Sequence, residues 1–290
     1  MRDFWTILKR AAADWWAADA MLHGAALAFY GILSVAPLVV IAVVIAGFVV
    51  GKDAARGELE TQIGQLVGLK AAEAIQEILS HAGQPTGGVL ATTLGIITLL
   101  IGASGVVAQL QASLNAIWNV RLKPSHTVWA FIQLRLVSMG IVLGMGLLLL
   151  ALLGINAVMA VVGGYVGTEN TLWNSLSGGA DAVISFALIG AFVAISFKFL
   201  PDAIVTWRAV ALGAGLTTVL LYLGKFAIGQ YLATAGATSV YGAAGSLVML
   251  VLWIYYSAQI LFFGAEFTQV YADHIGTPIV PTASAERITR

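Results

Sequence analysis

Between Ala20 and Ala265 the chain alternates long windows free of Asp, Glu, Lys and Arg with short charged connections. The windows are Ala20–Gly51, Ile78–Val120, Leu136–Thr168, Ala182–Phe197, Ala209–Gly224 and Phe226–Ala265. A helix rises about 1.5 Å per residue, so about 20 apolar residues cross the ~30 Å hydrocarbon core of a bilayer. Most of the windows are long enough, and the two shortest reach once uncharged or snorkelling flanks are added. Lipid offers the backbone no hydrogen-bond partner, which selects helices that satisfy their own N–H and C=O groups. The pattern predicts an all-α polytopic membrane protein with six transmembrane helices, near residues 25–48, 88–110, 136–160, 182–200, 209–230 and 243–265.

Two windows exceed one span and need a second element. Residues 104–120 turn amphipathic: Val106, Leu110, Leu114, Ile117 and Trp118 share one helical face, and Gln111, Asn115 and Asn119 form another. A long or bent helix is expected there, with Gly102 and Gly105 as the bend. Gln230 to Tyr241 collects Gly, Thr, Ser and Tyr and reads as an outer turn between the last two spans. Residues 1–22 place Trp5, Leu8, Ala12, Trp15 and Trp16 on one face, which predicts an N-terminal amphipathic interfacial helix rather than a cleavable signal. The polar excursion of residues 52–86 carries Leu59, Ile63, Leu66 and Val67, then Ile75, Ile78 and Leu79, and predicts an amphipathic helical segment outside the membrane between helices 1 and 2. Together these make one membrane domain over 1–290, with a six-helix core over 23–272 and a cytoplasmic tail over 273–290.

Basic residues set the orientation. With the N-terminus inside, Arg2, Lys9, Arg10, Arg121, Lys123, Arg135, Lys198, Arg208, Arg287 and Arg290 are cytoplasmic, and only Lys52, Arg56, Lys70 and Lys225 fall outside. Both termini are therefore expected in the cytoplasm and residues 52–86 in the periplasm. Hydrophobic residues are 60% of the chain and charged ones 10%, too few charges for a soluble domain of this length. A formal net charge of zero proposes no nucleic-acid partner, and the lack of cysteine removes disulfides, thiolate nucleophiles and thiolate metal sites.

Enzyme chemistry has little to stand on. Gly47 to Asp53 imitates a phosphate loop but has one residue too few between its glycines, and Asp53 where Ser or Thr would hold Mg²⁺. His23, His81, His126 and His274 are scattered without metal-ligand spacing, so no metal or other cofactor is expected. Polarity inside the spans is what remains. His23, Tyr30, Ser34 and the helix-breaking Pro37 in span one, with Tyr256, Gln259 and Glu266 on a stripe of span six, are candidates for a substrate pathway. The bland readings are a packing kink at Pro37 and an interfacial anchor at Glu266. Arg135, Lys198 and Arg208 are candidates for holding a lipid phosphate, against a plain role in snorkelling and topology. Gly140, Gly144, Gly213 and Gly215 read as small-residue faces for close helix packing.

Four separated blocks, His23–Pro37, Gly102–Val120, Phe199–Asp202 and Tyr241–Ala272, together resemble the YihY/BrkB family of bacterial inner-membrane proteins. The resemblance implies six transmembrane helices in the bacterial cytoplasmic membrane. It brings no settled catalytic or binding residues, and the family's roles are variously framed as serum resistance, envelope lipid handling or transport. The family has also carried the label ribonuclease BN, which the dispersed basic residues and the lack of an acid or His cluster speak against. The expected function is a non-enzymatic lipid or amphiphile translocator, or a lipid-handling component of the envelope. Its partners would be membrane lipids, with an anionic lipid or a lipid-linked envelope precursor as candidates, and a homo-oligomer is compatible. An ion-coupled small-solute transporter and a non-transporting membrane scaffold are the alternatives.

Overall fold

The computed structural model describes residues 2–34, 105–123, 140, 144, 171–234 and 245–288. Pro37, segment 52–86, Gly102, Arg135, residues 235–244 and almost all of the third expected span lie outside the described residues.

Helix α1 (Arg2–Ala17) ends at Asp19, whose φ of 52° is a left-handed conformation that the short polar Asp side chain tolerates. The Asp19 carbonyl then accepts from the amides of Leu22 and His23 and opens α2 (Ala20–Ser34), bent 67° from α1. The face of α1 expected to lie in the interface is mostly turned outward, with Leu8 and Trp15 half-buried against the protein. Ile7 and Ala11 are buried with Phe267 and Val270, while Trp5, Ala12 and Trp16 point outward. Periodicity identifies an apolar face but in a membrane protein does not tell protein from lipid, because both accept apolar side chains.

Helix α3 (residues 105–117) buries the predicted stripe: Leu114, Ile117 and Trp118 are fully covered, with Val106 and Leu110 packed beside them. It stops at Asn119, again left-handed at φ 54°, and continues as strand β1 (Val120–Leu122). Helix α4 (Thr171–Phe199) begins well before residue 182, so part of the expected outer connection is helical. A short turn containing strand β2 (Ala203–Ile204) leads to α5 (Trp207–Thr234), whose first amide bonds go from Ala209 and Val210 to the Thr206 carbonyl.

Helix α6 (Gly245–His274) runs past residue 265 and is the central element, touching α1, α2, α3 and α5. It closes in a Schellman motif: Thr277 N–H donates to Ala272 O and Gly276 N–H to Asp273 O, with Gly276 at φ 73°. The chain then forms strands β3 (Val280–Pro281) and β4 (Ala285–Arg287). These pair antiparallel with β2 and β1, Ala203 opposite Pro281 and Arg121 opposite Glu286. Among the described residues the fold is thus mostly helical with two small two-stranded ladders, which adjusts the all-α expectation.

Helices α5 and α6 meet through a reciprocal arrangement of glycine and threonine. Thr217 donates to Gly213 O and Thr268 to Gly264 O, each at 2.7 Å within its own helix. Each threonine also packs on the other helix's glycine, Thr217 on Gly264 and Thr268 on Gly213, leaving no room for a Cβ at either position. Gly213 therefore has the close-packing role expected of it. At Gly140, Gly144 and Gly215 nothing among the described residues comes within 4 Å of the place a Cβ would occupy.

The shared core is aromatic at one end, where Trp118 and Phe197 meet edge to face and the Trp118 indole N–H donates to Ala265 O at 3.0 Å. Outward positions are strongly apolar, Phe226 being 72% exposed, Val183 69% and Leu223 63%. Two described helices are long and apolar enough to cross a membrane, Trp207–Phe226 and Leu247–His274, and the bent pair of α1 and α2 makes a third if counted as one span.

Candidate functional site

One end of the bundle gathers α1, the ends of α3, α4 and α6, the start of α5, and all four strands. Asp202 is the hub of its polar contacts. The Gln111 and Asn115 amides both donate to Asp202 Oδ2, at 3.1 and 2.7 Å, and the Asp202 N–H donates to Asn115 Oδ1 at 2.9 Å. Thr282 adds its N–H and hydroxyl to the Asp202 carbonyl. The predicted polar stripe of α3 is therefore spent on a neighbouring turn rather than on solvent. Gln111 Oε1 is buried without a partner among the described residues.

Beside this clasp, Lys198 donates to Val205 O and lies 5.6 Å above the Trp207 ring. Trp207 in turn meets Phe199 edge to face at 6.0 Å, and both rings are more than half exposed. An ammonium held over a half-exposed indole, next to the exposed guanidinium of Arg208, is a cationic and aromatic rim of the kind found where a bundle meets lipid head groups. Of the three lipid-phosphate candidates, Lys198 and Arg208 stand at the same turn; Lys198 commits one of its three N–H donors to the protein.

The second polar feature lies along α6. Gln259, Glu266 and Asp273 follow at intervals of seven, which keeps them near one face of the helix. Gln259 Nε2 donates to Ala20 O at 3.4 Å and its amide fills the space beside Gly24, so it belongs to the contact with α2. Asp273 meets Arg10 of α1 at 3.8 Å. Glu266 lies between them, 3% exposed, on the part of α6 between its contacts with α1 and with α2. Gln259 Oε1, Gln269 Oε1 and, on α1, Trp15 Nε1 are buried without partners among the described residues. Three of the orphaned polar atoms thus belong to α6 and the elbow that wraps it.

The remaining pathway candidates do not converge on this seam. Tyr30 and Ser34 stand next to Gly105 on α3, Tyr30 being 41% exposed and Ser34 buried. Tyr256 packs on Gly224 of α5. His23 is half-buried in the first turns of α2, its amide bonded to Asp19 O. The stripe Tyr256, Gln259 and Glu266 is consequently divided among neighbours, because α6 contacts α2 through Gln259 and α5 through Tyr256. Among the described residues no group of three or more His, Cys, Asp or Glu gathers as a metal site.

Two blocks that are distant in sequence, the polar stripe of Gln111 and Asn115 and the Phe199–Asp202 turn, therefore interlock in space. The profile of the family described as Virulence factor BrkB matches residues 11–289, which takes in both blocks, the elbow and the whole of α6. The chain belongs to the BrkB family. It is 30% identical over 184 residues to a UPF0761 membrane protein of Tolumonas auensis, covering 63% of this chain and 58% of that protein. A UPF0761 membrane protein of Alkalilimnicola ehrlichii is 27% identical over 88% of this chain and 56% of its own length. One of Mannheimia succiniciproducens is 25% identical over 86% of this chain and 83% of its own. The chain spans about half the length of the first curated relatives it matches, 58%, 45% and 56% of them. No solved structure matches it. The molecule is a membrane protein of this family, and its apolar outer surface fits that membership.

Proposed function

We propose that the chain is a lipid or amphiphile translocator, or a lipid-handling component, of the bacterial inner membrane, acting without enzymatic chemistry. The observation that carries this reading is the polar seam of half-buried Gln259 and buried Glu266 under the α1–α2 elbow, inside helices whose outer faces are apolar. A polar path enclosed by an apolar exterior is what a head group needs while its chains stay in lipid. The rim of Lys198, Trp207 and Arg208 supplies a place where a phosphate meets cations at the membrane boundary. In this reading six spans cross the membrane, α1 lies in the interface, and the end carrying Asp202 faces the cytoplasm, where the basic residues collect.

One observation favours the ion-coupled alternative. Glu266 is buried rather than set at a wet boundary, and a buried carboxylate in a spanning helix is a common coupling site. Reconstitution in liposomes separates the two. A lipid-scrambling assay run beside an ion-flux assay is expected to show lipid movement that depends on the protein and little ion flux. Flux without scrambling selects the ion-coupled reading, and neither activity returns the chain to a scaffold role.

A further inference from the structure

We propose that residues 277–288 form a releasable strap that closes one end of the bundle and unzips as a unit while the helices stay folded. The segment leaves α6 at Gly276 and ties three separate parts of the chain together. At Val280 and Pro281 it pairs with β2 in the α4–α5 turn, and at Thr282 it binds the Asp202 carbonyl. It turns over Thr282–Ala285, with Ala285 N–H on Thr282 O, and then pairs with β1 at the end of α3. Ile288 N–H finishes the run on Asn119 O at 2.8 Å.

The strength of these ties is what makes the segment releasable. The ladders hold two and three residue pairs, and two-stranded ladders of that size are marginal on their own. Ile279 and Ala285 are the buried hydrophobic side chains the segment contributes. Its ion pair, Arg121 with Glu286 at 2.7 Å, has side chains 65% and 38% exposed and adds little in water. Lys123 donates to Ala283 O from an exposed position. The α5–α6 contact, by contrast, is built from fully buried Thr217 and Thr268 against glycine backbone. Local opening therefore costs far less at the strap than in the bundle. Release leaves the side-chain clasp of Gln111 and Asn115 on Asp202 as the remaining polar link between α3 and the α4–α5 turn. It also uncovers Ala203, which sits opposite Pro281 and is 5% exposed while the strap is closed.

Hydrogen exchange of the full chain in lipid nanodiscs tests this whether or not the protein moves lipid. The amides of Thr282, Ala285 and Ile288 are expected to exchange at least about 100-fold faster than those of α5 and α6 flanking Thr217 and Thr268. Leu122 and Ala285 are register partners, and antiparallel partners lie within disulfide reach, so the Leu122→Cys/Ala285→Cys pair locks the strap in this cysteine-free chain. Oxidation is expected to slow the strap amides at least about tenfold and reduction to restore them. Ala203→Cys/Pro281→Cys repeats the lock at the other ladder should the first pair not fold. Strap amides that exchange as slowly as the bundle, or that ignore an oxidised lock which mass spectrometry shows to have formed, overturn the proposal.

Discussion

Single residues decide the closest contacts. A Cβ at Gly264 meets the Thr217 side chain, whose rotamer is already fixed by its bond to Gly213 O. Gly264→Ala is therefore expected to lower the thermal stability of the detergent-purified protein, by about 1–3 kcal/mol as overpacking usually costs. Thr217→Ala in the same chain removes the obstructing oxygen and methyl and is expected to recover part of the loss, a coupling that a double-mutant cycle reads directly. An additive pair would mean the helices simply move apart. Asp202→Asn keeps the shape but removes the charge that two amides address, so a loss of about 1.5–3 kcal/mol is expected, measured as a lower unfolding midpoint. The glycines and the polar stripe of α3 could be read in the sequence as special. Their partners could not, because Asn115 and Asp202 are 87 residues apart and neither sits in a periodic pattern with the other.

At the scale of elements, apolar periodicity served best where one face of a helix is enclosed by protein. The stripe of Leu114, Ile117 and Trp118 on α3 is buried as its spacing predicts. For α1 the same method chose Trp5, Leu8, Ala12, Trp15 and Trp16 as an interfacial face, of which Trp5, Ala12 and Trp16 are exposed and Leu8 and Trp15 half-buried, while the side packed deepest is Ile7 and Ala11. The two faces make different predictions. Ala11 is fully buried against α6, so Ala11→Leu is expected to destabilise the fold by about 1–3 kcal/mol. Trp16 is 69% exposed, and Trp16→Gln is expected to leave the unfolding midpoint nearly unchanged in detergent. If α1 lies in the interface, Trp16→Gln also lessens quenching of the remaining tryptophans by brominated lipid. The strands were illegible for a simpler reason. Runs of two or three residues carry no alternation, and their pairing depends on a segment returning to stretches that precede it by 77 and by 165 residues.

For the whole molecule the open quantity is which way it faces. The elements that carry Lys9, Arg10, Arg121, Lys123, Lys198, Arg208 and Arg287 meet at one end of the bundle, whereas Lys225 lies about 18 residues along α5 from Trp207, roughly 27 Å at the helical rise. That separation is close to the thickness of a bilayer core, the spacing that the proposed arrangement with charges flanking the membrane requires. Translocation disfavours short loops rich in Lys and Arg, and on that ground the proposed orientation puts the crowded end in the cytoplasm. Ala283, exposed at the tip of the turn between β3 and β4, reports on that end without disturbing a buried contact. Thr61, outside the described residues, reports on the polar excursion of the sequence. Single cysteines at the two positions are expected to react differently with a membrane-impermeant maleimide: Thr61→Cys in intact spheroplasts, and Ala283→Cys only after the membrane is opened. The reverse pattern inverts the molecule, moves the Lys198 and Arg208 rim to the periplasmic leaflet, and with it removes the argument that those residues receive lipid from the anionic inner leaflet.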